Sequence, residues 1–284
     1  MTYPTDRPAV WFITGSSRGL GRALVAHLLQ RGDHVAATTR SSERLLTALD
    51  DVDTTNLLPL QVTLTDEEQV ADAIKEATVR FGRIDVVVNN AGYGYLGAVE
   101  ETSNSDVQAM FDVQVNGTWN VIRAVLPQMR QERSGHIINV SSILGVLSFP
   151  GWGLYCAAKY AVEGLSESLA AEVADFGIRV SIVEPGYFDT DFLTDNSLAV
   201  AEDVSDAYPS IREMIAAHKQ MPGTQPGDPN KAATALVTIA STETGPMRQQ
   251  LGSDSSGLAE GKADSLKAEI LAGRELAHST DYVR

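Results

Sequence analysis

Val10-Trp-Phe-Ile-Thr14-Gly-Ser-Ser-Arg-Gly-Leu-Gly21 is the stretch that decides the fold. Its first four residues form an apolar run suited to a buried strand. Glycines at 15, 19 and 21 follow, and then Leu20, Leu24, Val25, Leu28 and Leu29 at spacings that share one helix face. A loop between strand and helix can cradle phosphate, because glycine lets the backbone approach an anion and the helix N-terminus offers unpaired N–H groups. Glycine used only for a tight turn would leave the same triplet. The remainder of the chain has to decide between the two.

Short β-branched runs recur at 34–38, 84–88, 136–140 and 179–183, and each reads as a buried strand. Helical segments lie between them, for example 65–80, which opens with Thr65-Asp-Glu-Glu68; Thr65 is the expected cap of its first turn. Strand and helix in alternation predict an α/β fold, a doubly wound parallel sheet with helices on both faces and ligands at the carboxyl ends of the strands. No Pro, Gly or Ser linker divides the units and no repeat is found, so residues 1–284 are expected to be a single domain. Residues 191–221 read either as a pair of surface helices or as a substrate loop closing like a lid. Gln225-Pro-Gly-Asp-Pro229 precedes a further helix from Asn230, and 254–284 reads as a tail or an interface with one helix over 258–271.

Composition excludes several classes. Of 284 residues, 43% are hydrophobic and 21% charged, as in ordinary globular proteins. Lys+Arg number 22 and Asp+Glu 37, so the net charge of −15 disfavours nucleic acid and anionic membranes as partners. The lone Cys156 forms no intrachain disulfide, and no apolar run approaches the ~20 residues of a membrane span. A cytoplasmic protein without metal ligands is the expectation.

Tyr155 and Lys159 are four residues apart, so on a helix their side chains meet. An ammonium beside a phenol favours the phenolate, which is one way to bring a group of pKa ~10 toward neutral acid–base work. Such a pair on its own is more often a solvated helix face.

The glycine spacing GxxxGxG does not stand alone. Asn89-Asn-Ala-Gly92, Asn116 in Asp112-Val-Gln-Val-Asn-Gly117, Ser141-Ser142, Tyr155-Cys-Ala-Ala-Lys159 and Pro185-Gly186 follow in order. This set, over about 8–190, resembles the short-chain dehydrogenase/reductase family. The resemblance implies a Rossmann-type three-layer fold with a cofactor and catalytic core at about 8–190, a substrate loop at about 191–221 and a C-terminal extension at about 222–284. It also implies a catalytic set of Asn116, Ser142, Tyr155 and Lys159, with Ser142 preferred to Ser141 by its separation from Tyr155. In that set Tyr155 exchanges the proton, Ser142 orients the substrate oxygen, Lys159 tunes Tyr155 and binds ribose, and Asn116 completes a proton relay.

Further cofactor contacts implied by the family are Gly15, Ser17, Arg18, Gly19, Leu20, Gly21, Arg40, Thr63, Leu64, Asn90, Ala91, Gly92, Pro185, Gly186, Phe188 and Thr190. Where NAD-dependent relatives carry an acid after the second strand this chain has Thr39, followed by Arg40, and Arg18 lies in the glycine loop. Two guanidinium groups and no carboxylate favour a 2′-phosphate, hence NADP(H). Tyr93, Tyr95, Leu144, Trp152 and Tyr187 are expected to line a neutral, hydrophobic substrate pocket beside Ser142. The reading is an NADP(H)-dependent carbonyl reductase or alcohol dehydrogenase, with a steroid or retinoid type dehydrogenase as one variant. The alternative is a nonenzymatic NADP(H)-binding redox sensor. A homodimer or homotetramer is implied, paired through the helices at about 104–132 and 154–175.

Overall fold

A computed structural model describes residues 3–282. The first half alternates as β1 (Val10–Ile13), α1 (Gly19–Gln30), β2 (His34–Thr39), α2 (Ser42–Thr47), β3 (Leu57–Gln61), α3 (Glu67–Phe81) and β4 (Val86–Asn89). After a short β5 (Gly94–Leu96) come α4 (Asn104–Phe111), a π-helical turn over Asp112–Asn116, and α5 (Gly117–Glu132). Then follow β6 (Gly135–Val140), α6 (Gly153–Val173), β7 (Ile178–Pro185), β8 (Leu198–Val200), α7 (Pro209–Lys219) and α8 (Pro229–Ser241). The chain closes with β9 (Arg248–Leu251), α9 (Ser253–Ala272) and α10 (Arg274–His278).

Seven strands form one parallel sheet in the order β3-β2-β1-β4-β6-β7-β9, while β5 and β8 pair separately. Trp11 and Ile13 face one side of β1, against Leu24 and Leu28 of α1 and Leu236 of α8. Phe12 faces the other, against Val70 of α3, Val121 of α5 and Leu169 of α6. Both faces are therefore covered, which is why the strands read as continuous apolar runs rather than as alternating ones. Strand order reverses between β1 and β4, so the loops following these two strands sit side by side at the carboxyl edge. That is the place where open α/β sheets bind ligands.

Two local expectations change. Asp66, not Thr65, caps α3: its carboxylate accepts from the backbone N–H groups of Glu68 and Gln69, both at 3.1 Å. The C-terminal residues complete the sheet layers: α8 packs on α1 and β9 is the seventh strand. The segment expected as a plain helix over 104–132 is interrupted by the π turn.

Leu24 is fully buried between β1 and α8. Leu24→Ala is expected to cost about 2–5 kcal/mol in urea unfolding, through lost burial and the cavity left behind; a loss under about 1 kcal/mol would contradict this packing.

Candidate active site

Thr14 directly follows β1, and its side chain joins two loops. Its hydroxyl oxygen accepts from the backbone N–H groups of Asn90 and Ala91, each at 3.0 Å. Asn90 Nδ2 in return donates to the carbonyls of Thr14 and Gly15, at 3.0 and 3.1 Å. The glycine turn and the 89–92 turn are thus locked together with no room to spare. Gly15 has φ +69°, and a Cβ there would lie 2.7 Å from Ala91 Cα; a Cβ at Gly21 would lie 2.6 Å from Asn90 Nδ2 and overlap the Gly15 carbonyl. α1 starts inside this cradle, capped by Arg18 in an extended conformation.

A cavity of about 1040 Å³ opens over the carboxyl edge. Gly15, Ser17, Arg18, Gly19 and Leu20 form its floor, with Asn90, Ala91 and Gly92 beside them. One end carries Arg18, Arg40, Thr63 and Leu64. Arg44, one turn into α2, joins them unexpectedly, and Ser41 caps that helix by accepting from Arg44 N. None of the three arginines is in an ion pair among the described residues. Partial burial, and then the nearby Arg40, push the Arg18 pKa down. Three guanidinium groups gathered at one end of a cavity suit an anion.

The other end holds Ser142, Tyr155 and Lys159. Tyr155 and Lys159, each 5% exposed, share a face of α6, with Lys159 Nζ 5.6 Å from the centre of the Tyr155 ring. Lys159 Nζ donates to the carbonyl of Val140 at 3.0 Å, tying the helix to the end of β6. Deeper in, Asn89 donates to Asn139 and Asn139 to Ser166, both at 2.8 Å, so β4, β6 and α6 are joined by one buried polar chain. Ser142 Oγ accepts from Leu144 N at 3.1 Å, which leaves its proton free to donate. Burial drives the Tyr155 phenol well above its ordinary value, with the Ser142 hydroxyl opposing. Burial thus favours the neutral phenol. Burial also lowers Lys159 to about 8.

Pro185, Gly186, Tyr187, Phe188 and Thr190 line the cavity after β7, as do Tyr93, Leu144 and Trp152. Three expected residues do not line the cavity. Gly21 is buried behind the turn, against the Gly15 carbonyl and Asn90 Nδ2. Tyr95 is buried in the core, its hydroxyl donating to Asp106 at 3.1 Å, because it faces away from the cavity on β5. Asn116 ends the π turn exposed, its Nδ2 donating to Asp112 at 2.9 Å, so the relay assigned to it has no geometry here. The buried polar group of that turn is Gln114, whose Nε2 donates to the Tyr93 carbonyl at 3.0 Å while its Oε1 has no partner.

Other contributors come from sequence that carries no motif. Residues 191–199 supply a wall that includes Phe192 and Leu198. α7 stands behind it: His218 Nδ1 bonds the Met214 carbonyl at 2.9 Å, which leaves Nε2 to accept from the Tyr187 hydroxyl at 2.9 Å. The His218 ring also meets Trp152 edge-on at 5.3 Å. From α9, Asp254 and Leu258 reach the cavity, and Asp254 accepts from Tyr187 N at 2.8 Å. The first turn of α9 therefore belongs to the site rather than to a tail.

The sequence profile of the family described as short chain dehydrogenase matches residues 9–200. The chain belongs to the short-chain dehydrogenase/reductase family. A curated relative, "Oxidoreductase BOA17" of Botryotinia fuckeliana, is 38% identical over 269 residues, covering 94% of this chain and 97% of its own. A short-chain dehydrogenase from Streptomyces avermitilis superposes with a TM-score of 0.88 at 37% identity, covering 98% of this chain and all of its own. Another from Burkholderia cenocepacia, solved in complex with NADP, gives 0.72 at 27% identity over 94% of this chain and 97% of its own. This short-chain dehydrogenase/reductase is thus an oxidoreductase by family, with no described helix long and apolar enough to cross a membrane.

Gly21→Ala has no place for its methyl group between the Gly15 carbonyl and Asn90. Differential scanning calorimetry is expected to show a fall of several degrees in Tm for this variant; an unchanged Tm would mean that the two loops are not clamped as described.

Proposed function

We propose that the chain is an NADP(H)-dependent carbonyl reductase that, in reverse, oxidises secondary alcohols. One observation carries the reading: a single cavity joins Arg18, Arg40 and Arg44 at one end to Ser142, Tyr155 and Lys159 at the other. The residues present fit the dinucleotide. The glycine cradle admits a pyrophosphate but no Cβ, the N-terminus of α1 supplies N–H groups to it, and the arginine group matches a 2′-phosphate. Thr63 and Leu64 stand where adenine would lie, and Asn90, Ala91, Gly92, Pro185, Gly186, Phe188 and Thr190 where the nicotinamide half would run. When bound, the reduced nicotinamide supplies a hydride to a carbonyl carbon.

The chain's own residues supply the rest. Tyr155, neutral because it is buried, donates its phenolic proton to the carbonyl oxygen as negative charge gathers there. Ser142, with its oxygen already engaged by Leu144 N, directs its hydroxyl proton at the same oxygen. Lys159 spends one hydrogen on Val140 and keeps the others for a ribose hydroxyl and for the phenolate that remains.

The substrate is a neutral, lipophilic ketone or aldehyde. Leu144, Phe149, Trp152, Phe192, Leu198 and Leu258 surround the catalytic end, and Lys159 is the only cation there among the described residues. Residues 191–199, braced by α7, form the substrate loop.

Tyr155→Phe is expected to lower NADPH oxidation with a panel of neutral ketones and aldehydes by more than a thousandfold, with NADPH affinity within about threefold of wild type; a rate within tenfold of wild type would remove Tyr155 as the acid. Replacing Arg40 and Arg44 together by alanine is expected to raise the Kd for NADPH at least tenfold and leave that for NADH within about twofold, by fluorescence titration. Parallel losses for both cofactors would contradict the 2′-phosphate assignment.

A further inference from the structure

Beneath the catalytic end lies a cluster of charges that the proposed reaction does not use. Glu163 follows Lys159 by one helical turn, a spacing that puts the two Cβ atoms about 5–6 Å apart. It is 6% exposed, and Glu184 of β7 is fully buried beside it. Arg248 of β9 lies between them, with Nε 3.1 Å from Glu163 Oε2 and 3.4 Å from Glu184 Oε1, while its Nη2 is 2.7 Å from the more exposed Glu167. Gln250 Nε2 donates to Glu184 at 2.6 Å. On the β6 side the Ser141 hydroxyl faces the cluster: a Cβ built at Gly145 would overlap Ser141 Oγ and come within 3.1 Å of Glu163 Oε1. Groups from α6, β6, β7 and β9 thus enclose Glu163, and Lys159 stands one turn above it.

When both are ionised, the two buried carboxylates outnumber the one guanidinium they share. A buried ammonium with one carbonyl partner needs an anion nearby, because desolvation penalises its charged form. Among the groups acting on Lys159, Glu163 is the one that supports the ammonium against burial. We propose that Glu163, held in place by Arg248, is the counter-charge that keeps Lys159 an ammonium, and so is a positioning residue for the Tyr155–Lys159 pair. It rests on the reading of Lys159 given above but is tested apart from it. The seventh strand thereby gains a role at the site, since β9 brings the cation that fixes this carboxylate under the catalytic helix.

Glu163 is itself raised by burial to about 7, with Glu184 adding to the rise and Ser141 and Arg248 opposing it. Below that value it is mostly neutral; as pH climbs through it, the carboxylate forms just ahead of the range in which Lys159 loses its proton. Replacing it by glutamine removes an anion and lowers the Lys159 pKa further. Replacing Glu184 by glutamine leaves Arg248 to Glu163, eases ionisation of Glu163, and holds or raises the Lys159 pKa.

The test is an NMR titration of the lysine 13Cε resonances in the full, cofactor-free chain, with Lys159 assigned by the signal missing from Lys159→Arg. Glu163→Gln is expected to lower the Lys159 midpoint by about one unit, and Glu184→Gln to leave it in place or raise it. In NADPH oxidation the Glu163→Gln variant should stay within about twofold of wild type at pH 6.5 and fall about tenfold at pH 8.5. A Lys159 midpoint in Glu163→Gln within 0.2 units of wild type overturns the proposal. Should Glu163→Gln not fold, a fall of half a unit or more in Glu184→Gln overturns it instead. Because the titration needs neither cofactor nor turnover, it can fail while Tyr155→Phe still abolishes activity, and it can succeed where that variant stays active.

Discussion

The Thr14 hydroxyl, accepting at once from Asn90 N and Ala91 N, is the contact on which the site depends. It sits where strand order reverses, between the ends of β1 and β4, and Asn90 closes the clamp by bonding back to the Thr14 and Gly15 carbonyls. Because the two turns are joined so closely, residues 15 and 21 have no room for a side chain, and the Gly15 backbone lines the cavity. Everything at the dinucleotide end follows from this junction. Everything at the catalytic end hangs on the parallel tie from β6 to α6 through Val140, Lys159, Asn139 and Ser166.

The two ends differ in how they treat charge. Arg18, Arg40 and Arg44 are in no ion pair among the described residues and gather at one end of the cavity, although the chain as a whole carries a net charge of −15. At the catalytic end burial dominates: it raises Tyr155 and lowers Lys159, and Glu163 limits that fall. The excess of acid is therefore not spread evenly. Two buried carboxylates, Glu163 and Glu184, lie beneath the lysine.

Much of this was legible in the amino-acid order, for identifiable reasons. Buried parallel strands such as Val86-Val-Val-Asn89 show as unbroken apolar runs, and the motifs of the cradle and of α6 depend on short spacings that the sequence displays directly. β9 was not legible, since Arg248-Gln-Gln-Leu251 is polar and gains its place only by pairing with β7. Arg44 joins Arg18 and Arg40 because α2 folds back over the cavity, and Asp254 reaches Tyr187 because β9 returns the chain to the carboxyl edge. Asn116 misled because the π turn rotates the residues of 112–116 and buries Gln114 in place of Asn116. Tyr95 misled in a simpler way, since alternation along β5 turns it inward.

The most direct test of this account is a crystal structure of the chain grown with NADPH. It is expected to show the 2′-phosphate among Arg18, Arg40 and Arg44, the pyrophosphate on the glycine turn, and the nicotinamide ring beside Tyr155 and Lys159. A dinucleotide lying elsewhere, or one whose 2′-phosphate touches none of the three arginines, would contradict it.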